Sequence, residues 1–165
     1  NISNTLSLLE SILKENRILV NLNLDNDIYI YNFANEFSQA IINILHNAND
    51  AIKNKLDADD IRIINISTRQ EKNKAIIEIT DNAGGIAKDV IKKIFEPYFT
   101  TKHKYQGTGL GLYMTHKIIK MSMKERILLR LYALQKTLLG KMEQALELGI
   151  NYLHYLYIIP LFQMQ

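Results

Sequence analysis

Residues 35–56, NEFSQAIINILHNANDAIKNKL, carry two patterns on one helical repeat. Ile41, Ile44, Leu45, Ala48 and Ile52 recur at intervals of three and four and form an apolar face. Asn43, Asn47, Asp50 and Asn54, at spacings of four, three and four, project to the opposite side. Taken alone, that second face is simply a solvated surface. Asparagine is a poor helix former, however, so its concentration in mid-helix has a propensity cost. Amide oxygens also suit a hard cation such as magnesium that is shared with phosphates.

An apolar helix face needs a layer to pack on, and the flanking sequence supplies strands. Toward the N-terminus, Leu6, Leu8, Leu9, Ile12 and Leu13 predict a short amphipathic helix over 3–15. Ile18, Val20, Leu22 and Leu24 then alternate with other residues, and Ile28 and Ile30 follow Asp25-Asn26-Asp27, which predicts two strands around a turn. Toward the C-terminus, strands are expected at 61–67 and 75–80, joined by a polar turn that begins at Arg69. Glycines, Pro97 and basic residues dominate from Asp81 to Gln106, which predicts a long loop with a short helix near 88–95. Loops of this length are usually functional. A last helix is expected from near Gly109 to about Lys120. This order predicts an α/β fold, a two-layer sandwich in which one mixed sheet carries helices on one face. No internal repeat is present.

At 165 residues and 47% hydrophobic, the chain can bury the core of one domain. A charged fraction of 22% and a net charge of +3 give no sign of disorder or of a dedicated polyanion binder, so no nucleic-acid partner is expected. The absence of cysteine excludes disulfides and thiolate metal sites and fits a reducing, cytoplasmic compartment. The longest apolar run, Tyr152 to Phe162, contains His154 and Pro160 and falls short of the roughly 20 residues a membrane helix needs. No membrane contact is therefore expected of these residues. The opening Asn-Ile-Ser-Asn-Thr suggests a piece of a longer protein, one whose whole form could be membrane-anchored.

Three further stretches could carry chemistry. In IEITDNAGGI, 77–86, Asp81 ends an alternating strand just before Gly84-Gly85. A carboxylate fixed there can accept a hydrogen bond from an exocyclic amine, and paired glycines admit a flat ring. A plain Asp-Asn turn is an equally good account. In GTGLGL, 107–112, Gly107, Gly109 and Gly111 alternate with Thr108, Leu110 and Leu112 where a helix begins, which leaves backbone N–H groups for an anion or makes a flexible turn. Thr101, Lys102 and Lys104 just upstream add hydroxyl and cationic groups suited to phosphates. In IFEPYFTTK, 94–102, Ile94, Phe95, Tyr98 and Phe99 can anchor a surface loop while Pro97 fixes φ at its turn.

In order and spacing, NILHNANDAI (43–52), DNAGGI (81–86), FEPYFTTK (95–102) and GTGLGL (107–112) resemble the N box, first glycine box, F box and second glycine box of sensor histidine kinase ATP-binding domains. These belong to the GHKL superfamily, whose sandwich is of the Bergerat type. The resemblance covers roughly 1–120. It implies that Asn47 ligands Mg2+, that Asn43 supports the triphosphate, that Asp50 lines the nucleotide pocket, and that Asp81, with Gly85 and Ile86, receives the adenine of ATP. It further implies that Thr100, Thr101, Lys102 and the amides of Gly107, Thr108, Gly109, Leu110, Gly111 and Leu112 hold the phosphates, with 82–106 as the ATP lid. Ala83 stands where the family often has glycine. In the hydrolysing branches a glutamate one turn before the magnesium asparagine acts as general base; here that position is Asn43, and an amide cannot take a proton from water at neutral pH. The implied activity is transfer of the ATP γ-phosphoryl group to a histidine on a separate dimerisation and phosphoacceptor domain, with a response regulator downstream. Neither His46, His103, His116 nor His154 lies in a phosphoacceptor context, so the acceptor is expected outside these residues.

After the second glycine box the family pattern calls for a helix and two strands, the last with a Gly-Ala or Gly-Thr step. Residues 121–165 instead contain eleven leucines, as many as the preceding 120, and no aspartate. The expected division is an ATP-binding domain over 1–123 and an atypical tail over 124–165, with the C-terminal strands missing or replaced by helix. Ile127, Leu128, Leu131, Leu134 and Leu138 would be the apolar face of such a helix. A frame shift offers another origin for the tail. Met142-Glu143-Gln144-Ala145 is encoded by ATG-GAR-CAR-GCN, where R is a purine, and read from its third base this forces Gly, then Ala or Thr, then Ser or Gly. The alternative function is a nucleotide-binding regulatory module made inactive by its tail.

Overall fold

A computed structural model of the chain describes residues 2–29, 33–71, 74–102, 107–122, 127–133 and 159–160. Helix α1 spans Ile2–Glu15, strand β1 Ile18–Asn23, helix α2 Ala34–Lys55, strand β2 Arg62–Glu71 and strand β3 Lys74–Asp81. The short helix α3, Lys88–Ile91, precedes helix α4, Gly111–Lys117, which continues as one π-helical turn over Ile118–Ser122. Strands β4, Ile127–Ala133, and β5, Ile159–Pro160, complete a mixed sheet in the order β1-β2-β3-β4-β5. β1 and β2 run parallel, as do β3 and β4, while β2/β3 and β4/β5 are antiparallel.

The core lies between this sheet and the helices. Alternation in β2 and β3 sends Ile64, Ile66, Ile77 and Ile79 to one face. There they meet Leu9 and Leu13 of α1, the Ile41, Ile44, Leu45, Ala48 and Ile52 stripe of α2, and Ile118 and Ile119. The other face carries the buried Ile76 together with polar residues that are laced by their side chains. Asn21 donates to Asn65 at 2.9 Å, Asn65 to Thr80 at 3.1 Å, and Arg69 pairs with Glu78. The α/β sandwich with helices on one face is thus as expected.

Three expectations need correction. No strand forms at 28–29, and Ile30 lies outside the described residues. Because β1 pairs parallel with β2 rather than with a hairpin neighbour, the chain leaves the sheet after Asn23, and the Asp25 N–H is tied to Thr68 Oγ1 at 2.9 Å instead. The helix expected over 88–95 is only Lys88–Ile91, followed by turns into Pro97. Residues 127–133 are neither missing nor helical. This leucine-rich run takes the open edge of β3, with Leu129 opposite Ile77 and Leu131 opposite Ile79 in register. Leu134 and Leu138 lie outside the described residues.

Candidate functional site

The polar side of α2 touches the glycine and F-box stretches one after another. In its third turn the half-buried Asn43 donates from Nδ2 to the Gly111 carbonyl at 3.2 Å and to Thr115 Oγ1 at 3.4 Å. Its Oδ1 accepts from Gln39 at 3.0 Å. The amide therefore ties α2 to the start of α4, and the buried Thr115 hydroxyl closes the tie by donating back to Gly111 O at 3.0 Å. One turn on, Asn47 Oδ1 and Asp50 Oδ2 both face the Lys102 ammonium, at 3.4 and 2.5 Å. In the last turn Lys55 Nζ donates to the Gly85 carbonyl at 2.5 Å. From Asn43 to Lys55 a helix advances about 18 Å, so one element gauges the spacing of all three stretches.

Asp81 stands at the end of β3, as the alternation predicts, and its Oδ1 accepts the Ala83 N–H at 2.9 Å. Burial pushes its carboxyl above the ordinary range; the Ala83 N–H and the nearby Lys55 charge pull the other way without cancelling it. Asn82 beside it is buried and spent on the backbone. It accepts from the Ile63 N–H at 3.0 Å and donates to the Ile61 carbonyl at 2.6 Å, which fixes how the loop leaves the sheet. Ala83 points its methyl into the core at 2% exposure, so the alanine fills space there without narrowing the loop. Gly84 and Gly85 follow with φ of 79° and 84°, a left-handed pair that turns the chain outward and leaves Ile86 exposed.

The second glycine stretch is seated on the F-box stretch. A β-carbon on Gly109 would stand 2.4 Å from the Tyr98 carbonyl carbon, 2.6 Å from its oxygen and 2.7 Å from Phe99 O, so only glycine fits. Tyr98 itself holds φ at 66°, a strained value for a non-glycine residue. Gly107 lies close over Thr100 and the stem of Lys102, and Thr100 Oγ1 accepts the Lys102 N–H at 3.1 Å. Thr101 is exposed beside them, Thr108 Oγ1 accepts the Leu110 N–H at 3.4 Å, and Leu112 lies in the first turn of α4. No side chain caps α4, so the amides at its start are not taken by a capping group. Phe95 stacks on His116 with centroids 5.3 Å apart; burial, then Lys120 and Lys117, hold that imidazole below its usual range.

The residues singled out in sequence thus gather into one surface: Asn43 with Gly111, Asn47 and Asp50 with Lys102, Gly107 with Thr100, and Asp81 beside the Gly85 loop. Lys55, Asn49 and Thr115 were not foreseen. Asn49, 3% exposed, accepts from Asn16 Nδ2 at 2.7 Å and anchors the end of α1. These three act through tertiary contacts that no local pattern encodes. His46 is exposed on α2, and His103 lies outside the described residues.

The donor chemistry suits a hard cation. Asn47 and Asp50 offer an amide and a carboxylate oxygen to one ammonium group, and no cluster of three or more His, Cys, Asp or Glu ligands exists among the described residues. A magnesium ion held here would draw most of its ligands from phosphate and water, which is its usual preference. No helix among the described residues is long and apolar enough to cross a membrane.

Residues 33–139 match the family model described as histidine kinase-, DNA gyrase B- and HSP90-like ATPase. The chain is 33% identical over 119 residues to sporulation kinase B of Bacillus subtilis, covering 72% of this chain and 26% of that one. It is 38% identical over 89 residues to the two-component sensor PprA of Pseudomonas aeruginosa, covering 53% and 10%. The chain therefore spans between about a tenth and a quarter of the length of these relatives. Among solved structures, the catalytic domain of histidine kinase ThkA in a nucleotide-free form superposes with a TM-score of 0.63 at 29% identity, covering 73% of this chain and 75% of that one. These relatives are named as kinases or sensors and lend no support to an inactive regulatory module. Ordered motifs, a shared sheet and a family match over most of the chain agree: this protein belongs to the histidine kinase-, DNA gyrase B- and HSP90-like ATPase family.

Proposed function

We propose that the domain binds Mg-ATP at the α2 face and presents the γ-phosphoryl group to a histidine on a separate dimerisation and phosphoacceptor domain, from which a response regulator is phosphorylated. The observation that carries this is the sequence of contacts along α2, which reaches the second glycine stretch, Lys102 and the first glycine loop in turn. Asp81 accepts the adenine amine, and the Gly85 and Ile86 backbone borders the ring. Asn47 holds the metal with Asp50 close by, while Thr100, Thr101, Lys102 and the 107–112 amides bind phosphate oxygens. A magnesium ion held by Asn47 would supply charge neutralisation at the phosphates.

Asn43 fills the place of a hydrolytic base without being one. Its amide is committed to Gly111 and Thr115, so it positions the phosphate loop and leaves water unactivated. Catalysis then rests on positioning and charge neutralisation, with the nucleophile supplied by another domain. We place the ATP-binding domain at 1–123, with 82–106 as the lid, and the site in the cytoplasm where ATP is available. Calorimetric titration with Mg-ATP, followed by phosphotransfer to a sensor-kinase phosphoacceptor domain added in trans, tests the proposal. Binding with acid-labile, alkali-stable label on that domain is expected; binding without transfer, with ATP slowly hydrolysed instead, would overturn the kinase assignment.

A further inference from the structure

The Lys102 ammonium lies where a divalent cation is expected. It is held 2.5 Å from Asp50 Oδ2 and 3.4 Å from Asn47 Oδ1, with the two side chains of the ion pair only 26% and 36% exposed. Its stem is confined as well. The Lys102 N–H is tied to Thr100, and Gly107 passes so near that a β-carbon there would be 3.1 Å from Lys102 Cδ. A long lysine loses much rotamer freedom when fixed in this way, and water screens a partly shielded pair less than a fully exposed one.

We propose that the Lys102–Asp50 ion pair is a self-blocking latch, in which the tethered ammonium holds the cation position beside Asn47 until a metal–nucleotide complex displaces it. This rests on the functional assignment above and adds to it a closed nucleotide-free state. Two cations cannot share oxygens a few ångströms apart without strong repulsion, so Lys102 must withdraw before a metal reaches Asn47. The polyphosphate supplies the motive, because it offers the lysine stronger, charge-assisted partners than one carboxylate. While latched, the protein is not competent to bind, and its apparent affinity is the intrinsic one multiplied by the unlatched fraction. Since Gly107 rests on the lysine stem, release of the side chain also frees the second glycine stretch to adjust to the phosphates.

A double-mutant cycle on the full chain, Asp50→Asn, Lys102→Met and both together, tests the latch. Without nucleotide, each single change is expected to lower the melting temperature by about 1–4 °C, and the double no further than either single. Under saturating Mg-ATP that coupling is expected to vanish. In EDTA, Asp50→Asn is expected to tighten ATP binding roughly two- to fivefold by freeing Lys102 for the phosphates. Additive single changes without nucleotide overturn the latch, as does an Asp50→Asn variant whose ATP affinity is unchanged or falls equally with and without magnesium. If Lys102→Met does not fold, Lys102→Gln keeps a polar head and carries the same expectations. Failure of the unmodified chain to bind Mg-ATP would overturn the functional assignment and the displacement together. Additivity with ATP binding intact would overturn the latch alone.

Discussion

Asp81 accepts most strongly from an adenine amine when ionised, yet its surroundings favour the neutral acid. Its folded-state pKa is raised above the unfolded value, so between the two the folded protein holds a proton that the unfolded chain has released. Stability contributed by Asp81 therefore falls as pH rises through that window, and the desolvation penalty is complete above it. Nucleotide affinity should run the other way, weakening on acidification at a pH higher than an ordinary aspartate would require. Asp81→Asn is expected to abolish that pH dependence, to weaken Mg-ATP binding by roughly tenfold or more, and to melt higher than the unmodified protein without nucleotide. Titration calorimetry and melting curves across the acid range check all three outcomes. The glycines make a second contrast at this scale. Gly109→Ala drives a β-carbon into the Tyr98 carbonyl, whereas at Gly84 there is nothing within 4 Å and only the φ of 79° opposes a side chain. Gly84→Ala should cost about 1 kcal/mol and Gly109→Ala clearly more, as urea denaturation would measure, with ATP binding lost first in Gly109→Ala as the F-box backbone is displaced.

Helix α2 was the most legible element, since its two faces are written at a spacing that only a helix satisfies, and Asn43, Asn47 and Asp50 emerge on the side opposite the core stripe. The strands were legible for the same reason, through the alternation that buries Ile64, Ile66, Ile77 and Ile79. What sequence spacing could not supply is long-range: that Asn43 ties to Gly111, that Asn82 serves the β2 backbone, and that Ala83 belongs to the core. The missing strand at 28–29 shows the limit from the other side, because apolar residues beyond a turn do not by themselves specify a pairing partner. Arg62 is a further case. Its guanidinium donates to Asn16 O at 2.9 Å beyond the end of α1, and to Leu56 O at 3.1 Å and Asp57 O at 3.3 Å beyond the end of α2. One side chain thus satisfies carbonyls at two helix ends, where cations are also favoured by the dipoles. Arg62→Ala should cost about 1–3 kcal/mol by urea denaturation and shift both helices relative to β1, which Arg62→Lys would restore only in part because a point charge cannot span three carbonyls.

At the scale of the whole molecule, the unresolved tension is between the tail's composition and its place in the sheet. β4 occupies the edge of β3 in parallel register, and the family match runs to residue 139, yet the leucine-rich run beyond it lacks the expected Gly-Ala or Gly-Thr step. We propose that the gene carries a frame shift near Lys124. The nucleotide sequence should then contain, in the alternative frame, an uninterrupted stretch encoding that step opposite Met142–Ala145. A stop codon in that frame before the step would sink the proposal. Stability provides the physical counterpart. β3 exchanges hydrogen bonds with β2 on one side, and β4 alone protects its other edge from solvent and from foreign strands. A chain ending at Ser122 should consequently melt lower than the present one, by roughly 5 °C or more, and aggregate on heating as the β3 edge is exposed. A chain continued from Met123 with the alternative-frame residues should melt higher than the present one, because two full strands would then follow α4 where β5 is now only Ile159–Pro160. Equal melting of all three would mean that the sheet draws its stability from β1, β2 and β3 on the α1 and α2 layer alone, leaving the tail without a structural part.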